Sequence, residues 1–554
     1  MITNQELANL IFPNVTETVE DLEKEFPKRQ LPEGAEVTRF APSPTGFLHT
    51  GSLFTSLICR KVATQTRGVF FVRLEDTDTK REIQGSGEEL LEQLKIFNIV
   101  PDEGYMGNSQ KGNYGPYVQS QRADIYRAVI KHLIILGKAY PCFCTPHDLN
   151  EIRARQESAK LVPGYYGQFA KCRFLTNEER ATRLLAGEPF VIRFKSSGNH
   201  IRKIRVHDLV HGTFEIAQND QDIVIYKSDG LPTYHFAHVV DDHFMKTTTV
   251  IRGEEWIASL PIHLELFEAL GWKAPLYAHL PVIMKLDENG NRRKLSKRLD
   301  SEAAVSYFLQ DGYPSEALIM YLMTIANSNF EEWIFLHHFE KMEDFIFSFN
   351  KMSLDGALFD IGKLNFFARE ILAKKTKEEI YDMAVAYADK YQPKLLEVIK
   401  RSPSYFMEIM NIEREKENPR KDYEKFGDLL SSINFFYDDF YQDLLKGPLP
   451  FNERFNKQTI SRVLIALKEQ LPFAVDEQTW FASMKNIGIT LGFAPNGKTY
   501  KNDPDKYLGS IGDVAEMLRI ALTGRKNSPN LYYVMKVLTK ERCDKRIEQI
   551  ISSF

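Results

Sequence analysis

Cysteine is scarce, with five thiols in 554 residues. That excludes a disulfide framework and makes the cytosol the expected compartment. No run of eighteen apolar residues occurs, and the start, MITNQELANLIFPNVTETVEDLEKEF, has no basic segment leading into a long apolar one. Neither a membrane span nor an export signal is expected. A charge excess of one sign is also missing, the balance being −4 from 71 basic and 75 acidic residues. Bulk attraction to a polyanion is therefore excluded, and any RNA must be held by local patches and shape. Internal repeats and low-complexity tracts are absent as well, which excludes a repeat array.

What is present is globular: 43 % apolar and 26 % charged residues, over a length that calls for two to four domains. The stretch RFAPSPTGFLHTGSLFTSL, Arg39 to Leu57, crowds prolines, glycines, a histidine and small hydroxyl residues between a strand-like EVTRFA and a helical pattern. That pattern, GSLFTSLICRKVATQTRG, ends on Gly68. VFFVRLED then reads as a buried strand, and Ser86 opens SGEELLEQLKIF with Glu89 as its capping-box partner. Strand, loop, helix, strand, helix predicts a parallel α/β sheet. From about Tyr140 to Asn219 the rhythm breaks into cysteines, short charged helices and pieces such as PFVIRF, which reads as an insertion. Alternation resumes from IVIYKSDGLPTYHFAHVVDDH to about Leu309. Beyond Phe330 the pattern is mainly helical, as in KQTISRVLIALKEQL and NLYYVMKVLTKERCDKRIEQII.

Ligands of open parallel sheets gather beyond the carboxyl ends of strands, where helix N-termini point outward. Gly46 and Gly51 clear side chains from such a place, and His49 stands at the helix mouth, where its ring can donate to a phosphate. An ATP site is expected there. RRKLSKR, Arg292 to Arg298, holds five basic residues in seven. It is either a solvated basic loop or a lysine pair, Lys294 and Lys297, that neutralises a breaking triphosphate.

PSPTGFLHTGS together with KLSKR resembles the two ATP motifs of class I aminoacyl-tRNA synthetases, and RFAPSPTG with EDTD, Glu75 to Asp78, narrows the resemblance to the glutamyl-tRNA synthetases of bacterial type. YGPYVQSQR, KSDGLPTYH, VVDDH, IRGEEW and DGYPSEAL continue it in the family's order, and MSLDGALFD and ALTG extend it more thinly. The resemblance implies an α/β Rossmann-like class I synthetase catalytic domain with an inserted α+β domain, followed by an all-α C-terminal half. In these terms residues 1–35 are an N-terminal extension, 36–135 and 221–330 the two catalytic halves, and 136–220 an inserted acceptor-stem-binding region. Residues 331–400 would contact the tRNA stem and 401–554 the anticodon.

The implied reaction joins L-glutamate to tRNA(Glu) through a glutamyl-adenylate, with ATP and Mg2+, in a monomer. Carried over residue by residue, His49, Lys294 and Lys297 are catalytic, and Gly51, Arg81, Glu255 and Ser296 join them around ATP. Arg39, Ser43, Glu75, Tyr234, His238 and Arg252 match the glutamate pocket. Two fixed arginines and an acid suit a substrate with two carboxylates and an ammonium. His238 stands where the family usually has asparagine, so a pH-dependent ring enters the expected pocket.

Cys142, Cys144 and Cys172 match a family zinc site, with Tyr165 the preferred fourth ligand and His147 in reserve; the alternative is three free thiols. The paired arginines and the EDTD acid argue against the glutaminyl relatives, and the long helical half argues against the truncated relatives that modify a tRNA base. Two alternatives stay open: a form that also charges tRNA(Gln) with glutamate, and an RNA-binding homologue without catalysis.

Overall fold

The computed structural model describes residues 2–44, 46–78, 83–296 and 298–554. Two compact units result: Met1–Phe308 with Ile319–Asp360, and Leu309–Leu318 with Ile361–Phe554.

In the first unit, strands Val37–Phe40, Val69–Val72 and Glu103–Tyr105 run parallel, and Gln110–Lys111 closes that sheet antiparallel. Phe70, Phe71 and Val72 are fully buried, as an apolar run covered on both faces must be. Strands Thr249–Gly253 and Leu276–Leu280 form a second parallel pair. The Thr248 N–H donates to the Val37 carbonyl at 3.0 Å, which sets this pair beside the first strand. The chain winds outward from Val37–Phe40 in one direction and returns on the other side, so a switch point of the Rossmann kind lies between the two sheets.

Helix Thr50–Gln65 crosses back from the first strand to the second, burying Leu53, Phe54, Leu57, Ile58 and Val62. It stops before Gly68, and the left-handed residue after it is Arg67 at φ 56°. Gly68 serves a different end from the cap its position suggested: a Cβ there would lie 1.9 Å from the Glu36 carbonyl oxygen. A second expectation is also corrected. Helix Ser86–Ile96 is capped by Gly85 at φ 81°, so Ser86 is its first residue and makes no capping box with Glu89.

The expected insertion supplies helices Pro146–Ser158 and Asn177–Leu185 and two strands, Ala139–Cys142 and Val191–Phe194, of an antiparallel sheet that Val224–Tyr226, beyond the expected boundary, completes. Both helices carry capping boxes, Thr145 with Asp148 and Thr176 with Glu179. A hairpin, Lys203–Asp208 with Gly212–Ala217, joins the edge of strand Leu276–Leu280. The first 35 residues are built into the same unit: helices Asn4–Ile11 and Val19–Glu25 bury Leu7, Phe12, Leu22 and Phe26 in a core shared with helix Ala123–Ile135. Arg29 then bonds the Met245 carbonyl at 3.0 Å and lies 3.8 Å over the Tyr114 ring.

The second unit is helical, with one apolar cluster running from Leu372 through Leu464, Trp480 and Leu518 to Ile550. NLYYVMKVLTKERCDKRIEQII resolves into two helices, Leu531–Leu538 and Lys540–Ser552, because Thr539 adopts φ 71°. Arg546, 2 % exposed, donates to the carbonyls of Phe435 and Leu522, both at 2.7 Å, and pairs with Asp438. No helix among the described residues is long and apolar enough to cross a membrane.

Candidate active site

A cleft of about 430 Å³ opens at the switch point. Arg39, Ser43, His49, Gly51, Glu75, Tyr234, Arg252, Glu255 and Lys294 line it, so nine of the residues singled out in the sequence share one concavity. They arrive there by different routes. Arg39 and Arg252 sit at the ends of the two central strands, Glu75 just past the next strand, and Tyr234 opens helix Tyr234–Phe244.

His49 caps helix Thr50–Gln65 with its backbone, Leu53 donating to its carbonyl at 2.8 Å. A Cβ on Gly51 would meet nothing within 4 Å, so the helix mouth is open toward the cleft. That mouth is tied to the segment after the lysine loop: the Val305 N–H donates to Leu48 O at 3.1 Å, and Thr50 Oγ1 donates to Glu302 O at 2.6 Å. The loop is itself folded around Asp300, which accepts from Arg293 at 2.6 and 2.8 Å and from the Ser296 N–H at 2.8 Å. Those hydrogen bonds, Arg293's first, hold the Asp300 carboxyl well below its ordinary value. Lys294 reaches back to Glu255 at 3.7 Å. Ser296 belongs to this loop without lining the cleft, and Arg81 and Lys297 lie outside the described residues.

The cleft floor is a buried set of charges, of which Arg39 and Glu75 reach the cleft itself. Arg39, Arg73 and Arg122 face Glu75, Asp241 and Asp242, all at most 8 % exposed. Asp242 accepts from Arg39 Nε at 3.1 Å and Arg73 Nη1 at 2.8 Å; Arg73 Nη2 also reaches Glu75 at 2.9 Å. Asp241 is held by Arg122 Nε at 2.6 Å, by the Tyr126 hydroxyl and by Gln119. Equal numbers of each sign let charges persist where a lone one would be expelled. Burial pushes the Asp242 carboxyl up, but Arg39 and Arg73 outweigh it and bring it down to about 2. For Glu75 burial wins over Arg73 and Arg39, and its pKa is raised.

Arg252 is held differently. Its Nε donates to His279 Nε2 at 3.0 Å, its Nη1 faces His263 Nδ1 at 3.3 Å, and its Nη2 donates to the Trp256 carbonyl at 3.3 Å. The Tyr234 hydroxyl lies 3.5 Å from Nη1, with its ring packed on Trp256. His238 lies behind this wall: it is fully buried, 3.1 Å from Asp242 and 3.3 Å from the Tyr277 hydroxyl, and is not among the cleft-lining residues. Burial first, then Arg252, Arg39 and Arg73, hold it well below the ordinary histidine value, so the ring is neutral at physiological pH.

Sequence reasoning missed Arg73, Asp241, Asp242 and Asp300. A signal existed for the first three: an arginine inside VFFVRLED and two acids inside AHVVDDHF must be paired if those segments are buried. Nothing in LYAHLPV marked His279.

In the inserted region the Sγ atoms of Cys142, Cys144 and Cys172 lie within 4.8 Å of one another, the one such group among the described residues. Cys144 and Cys172 are 3.7 Å apart, and the Tyr165 hydroxyl is 3.4 Å from Cys142 and 3.2 Å from Cys144. Two thiolates at roughly 2.3 Å from a tetrahedral zinc are about 3.8 Å apart, so the donor set fits that ion. His147 instead points toward Glu151 with its side chain 82 % exposed. Hydrogen bonds from the two neighbouring thiols draw the Cys142 thiol well below its ordinary value.

A cleft at the switch point, fed by a helix-mouth histidine and a basic loop, defines a class I aminoacyl-tRNA synthetase. Residues 36–366 match the catalytic domain described as "tRNA synthetases class I (E and Q)", and residues 509–551 match an anticodon binding domain. The glutamate–tRNA ligase of Clostridium perfringens strain 13 is 45 % identical over 98 % of this chain and all of its own length. That of Clostridium beijerinckii is 43 % identical over 99 % of each chain. A crystal structure of a glutamate tRNA ligase from Elizabethkingia meningosepticum, in complex with its amino acid, aligns with TM-score 0.73 and 29 % identity over 94 % of this chain and 99 % of that one. The chain belongs to the glutamate–tRNA ligase family.

Proposed function

We propose that the cleft binds glutamate and ATP side by side and catalyses formation of glutamyl-adenylate, which is then transferred to the terminal ribose of tRNA(Glu). The observation that carries this reading is the shared cleft: Arg39, Glu75, Arg252, His49 and Lys294 line one space although more than 200 residues separate the first from the last. Arg39 and Arg252 bind the substrate's carboxylates, Glu75 its ammonium, and Ser43 and Tyr234 add neutral hydrogen bonds. His238 acts on this pocket from behind, through Arg39 and Asp242. The α-carboxylate of glutamate attacks the α-phosphate of ATP, and diphosphate leaves.

His49 and Lys294, with Lys297 from the sequence motif, stabilise the charge that moves onto the phosphates. Gly51 leaves room for the nucleotide, and Glu255, Ser296 and Arg81 complete its contacts. No protein nucleophile is required. Mg2+ accompanies ATP, neutralising its phosphates when bound. Cys142, Cys144, Cys172 and Tyr165 hold a structural Zn2+ that fixes the inserted region, which receives the acceptor stem. The helical half contacts the stem through residues 331–400 and reads the anticodon through 401–554. The enzyme works in the cytoplasm as a monomer.

The test is glutamate-dependent ATP–pyrophosphate exchange with tRNA present. Exchange with glutamate and none with glutamine is expected; no glutamate-dependent exchange would overturn the reading. Charging purified tRNA(Glu) and tRNA(Gln) side by side then decides whether the second is also an acceptor.

A further inference from the structure

The two cleft arginines are held by opposite chemistry. Arg39 faces the Asp242 carboxylate at 3.1 Å. Arg252 is paired with no carboxylate among the described residues and leans on two imidazoles, His279 and His263. A guanidinium has only N–H donors. The His279 Nε2 that receives the Arg252 Nε–H at 3.0 Å must therefore be the unprotonated nitrogen, and the ring proton sits on Nδ1.

Nδ1 lies 2.7 Å from Asp208 Oδ2. Asp208 is in turn fixed by the backbone N–H groups of Val210 at 2.9 Å, His211 at 3.0 Å and His279 at 3.1 Å. Both Asp208 and His279 are fully buried, and neither lines the cleft. The same reasoning applies to His263: its Nδ1 faces Arg252, so its Nε2 carries the proton and donates to His235 Nδ1 at 3.0 Å.

We propose that Asp208 and His279 are positioning residues that orient Arg252 while leaving its charge uncancelled for a substrate carboxylate. Asp208 selects the tautomer; His279 presents one neutral acceptor to Nε, and the N–H groups not taken by His263 and the Trp256 carbonyl are left for the cleft. A carboxylate in place of His279 would orient the guanidinium equally well but would compete with the substrate for its charge. The proposal rests on the reading that Arg252 binds glutamate.

The experiment is steady-state exchange kinetics on the full chain, with tRNA present, for Asp208→Asn, His279→Leu, His279→Gln and Arg252→Lys. Asp208→Asn and His279→Leu should raise the KM for glutamate about tenfold, the scale of one lost hydrogen bond to a charged group, with the KM for ATP and kcat within about twofold. His279→Gln, whose amide oxygen can accept from Arg252, should recover most of the loss. Should Asp208→Asn not fold, the His279 pair decides alone, since a merely structural role predicts no rescue specific to glutamate KM. An unchanged glutamate KM in Asp208→Asn and His279→Leu, or ATP KM and kcat deteriorating in parallel, overturns the proposal. Arg252→Lys separates the two readings: a raised glutamate KM there with none in the relay variants sinks only the relay, whereas no effect there sinks the glutamate assignment itself.

Discussion

All thirteen histidines of the chain lie in the first unit; the helical unit has none. The helical unit is held by an apolar cluster around Trp480, Leu464 and Leu518, with the buried Arg546 tying the carbonyls of Phe435 and Leu522 together. The first unit adds to its apolar cores a floor of six buried charges and a wall of buried imidazoles. An apolar core tolerates substitution in proportion to lost volume, whereas a balanced charge set fails when one member goes. The difference teaches where function has been written into the interior: the buried groups that cost most to desolvate stand directly under the cleft.

The comparison breaks most severely at Asp242. Asp242→Asn leaves Arg39 and Arg73 short of a partner and should destabilise the first unit by roughly 3–5 kcal/mol, read from denaturant titration, with exchange activity lost. If stability changes by less than about 1 kcal/mol, the charge set is not what holds the floor. In the helical unit, Leu464→Ala should cost about 3 kcal/mol through the cavity it leaves. Hydrogen exchange should then quicken in helix Lys457–Gln470 and its neighbours but not in strand Val69–Val72; equal loss in both would make the units one cooperative body.

His49→Ala tests the proposed chemistry rather than packing. It should slow exchange about a hundredfold at saturating glutamate, with the glutamate KM little changed. The effect of pH is the most diffuse, because it is spread over several rings. His235, His238, His263 and His279 are all held below the ordinary histidine value, burial being the first cause in each. A depressed folded-state pKa contributes stability that is present above the unfolded value, about 6.5, and is lost as pH falls below it. Between pH 7.5 and 5.5 the first unit should therefore weaken, while the helical unit should not respond through this route. Unit-resolved hydrogen exchange at the two pH values measures both; a matching response in the helical unit would remove histidine as the cause.

Much of the site was legible because its parts are local. RFAPSPTGFLHTG brings Arg39, Ser43 and His49 to the cleft within a few consecutive residues, and KLSKR brings Lys294; the strand-to-helix setting of the first follows from periodicity alone. What stayed hidden depends on pairing across the chain. Asp208 and His279 are 71 residues apart in sequence and meet only because their strands are neighbours, and Asp300 matters only once the loop has closed around it. His238 shows the limit from the other side: its place in the motif marked a pocket residue, while the fold sets it one layer behind Arg39. Residue type alone points to Gly68 and Ser86 as helix ends, but a close approach of backbone at Glu36 and a left-handed Gly85 decide those positions.

The first 35 residues carry a practical consequence. The match to the class I catalytic domain begins at residue 36, which invites cutting the gene there. Such a truncation would strip Leu7, Phe12, Leu22 and Phe26 from the face of helix Ala123–Ile135 and bare a greasy strip there. An expression clone trimmed to that boundary should aggregate more than the full chain does; the safe place to start is set by what the side chains cover rather than by where the catalytic-domain match begins.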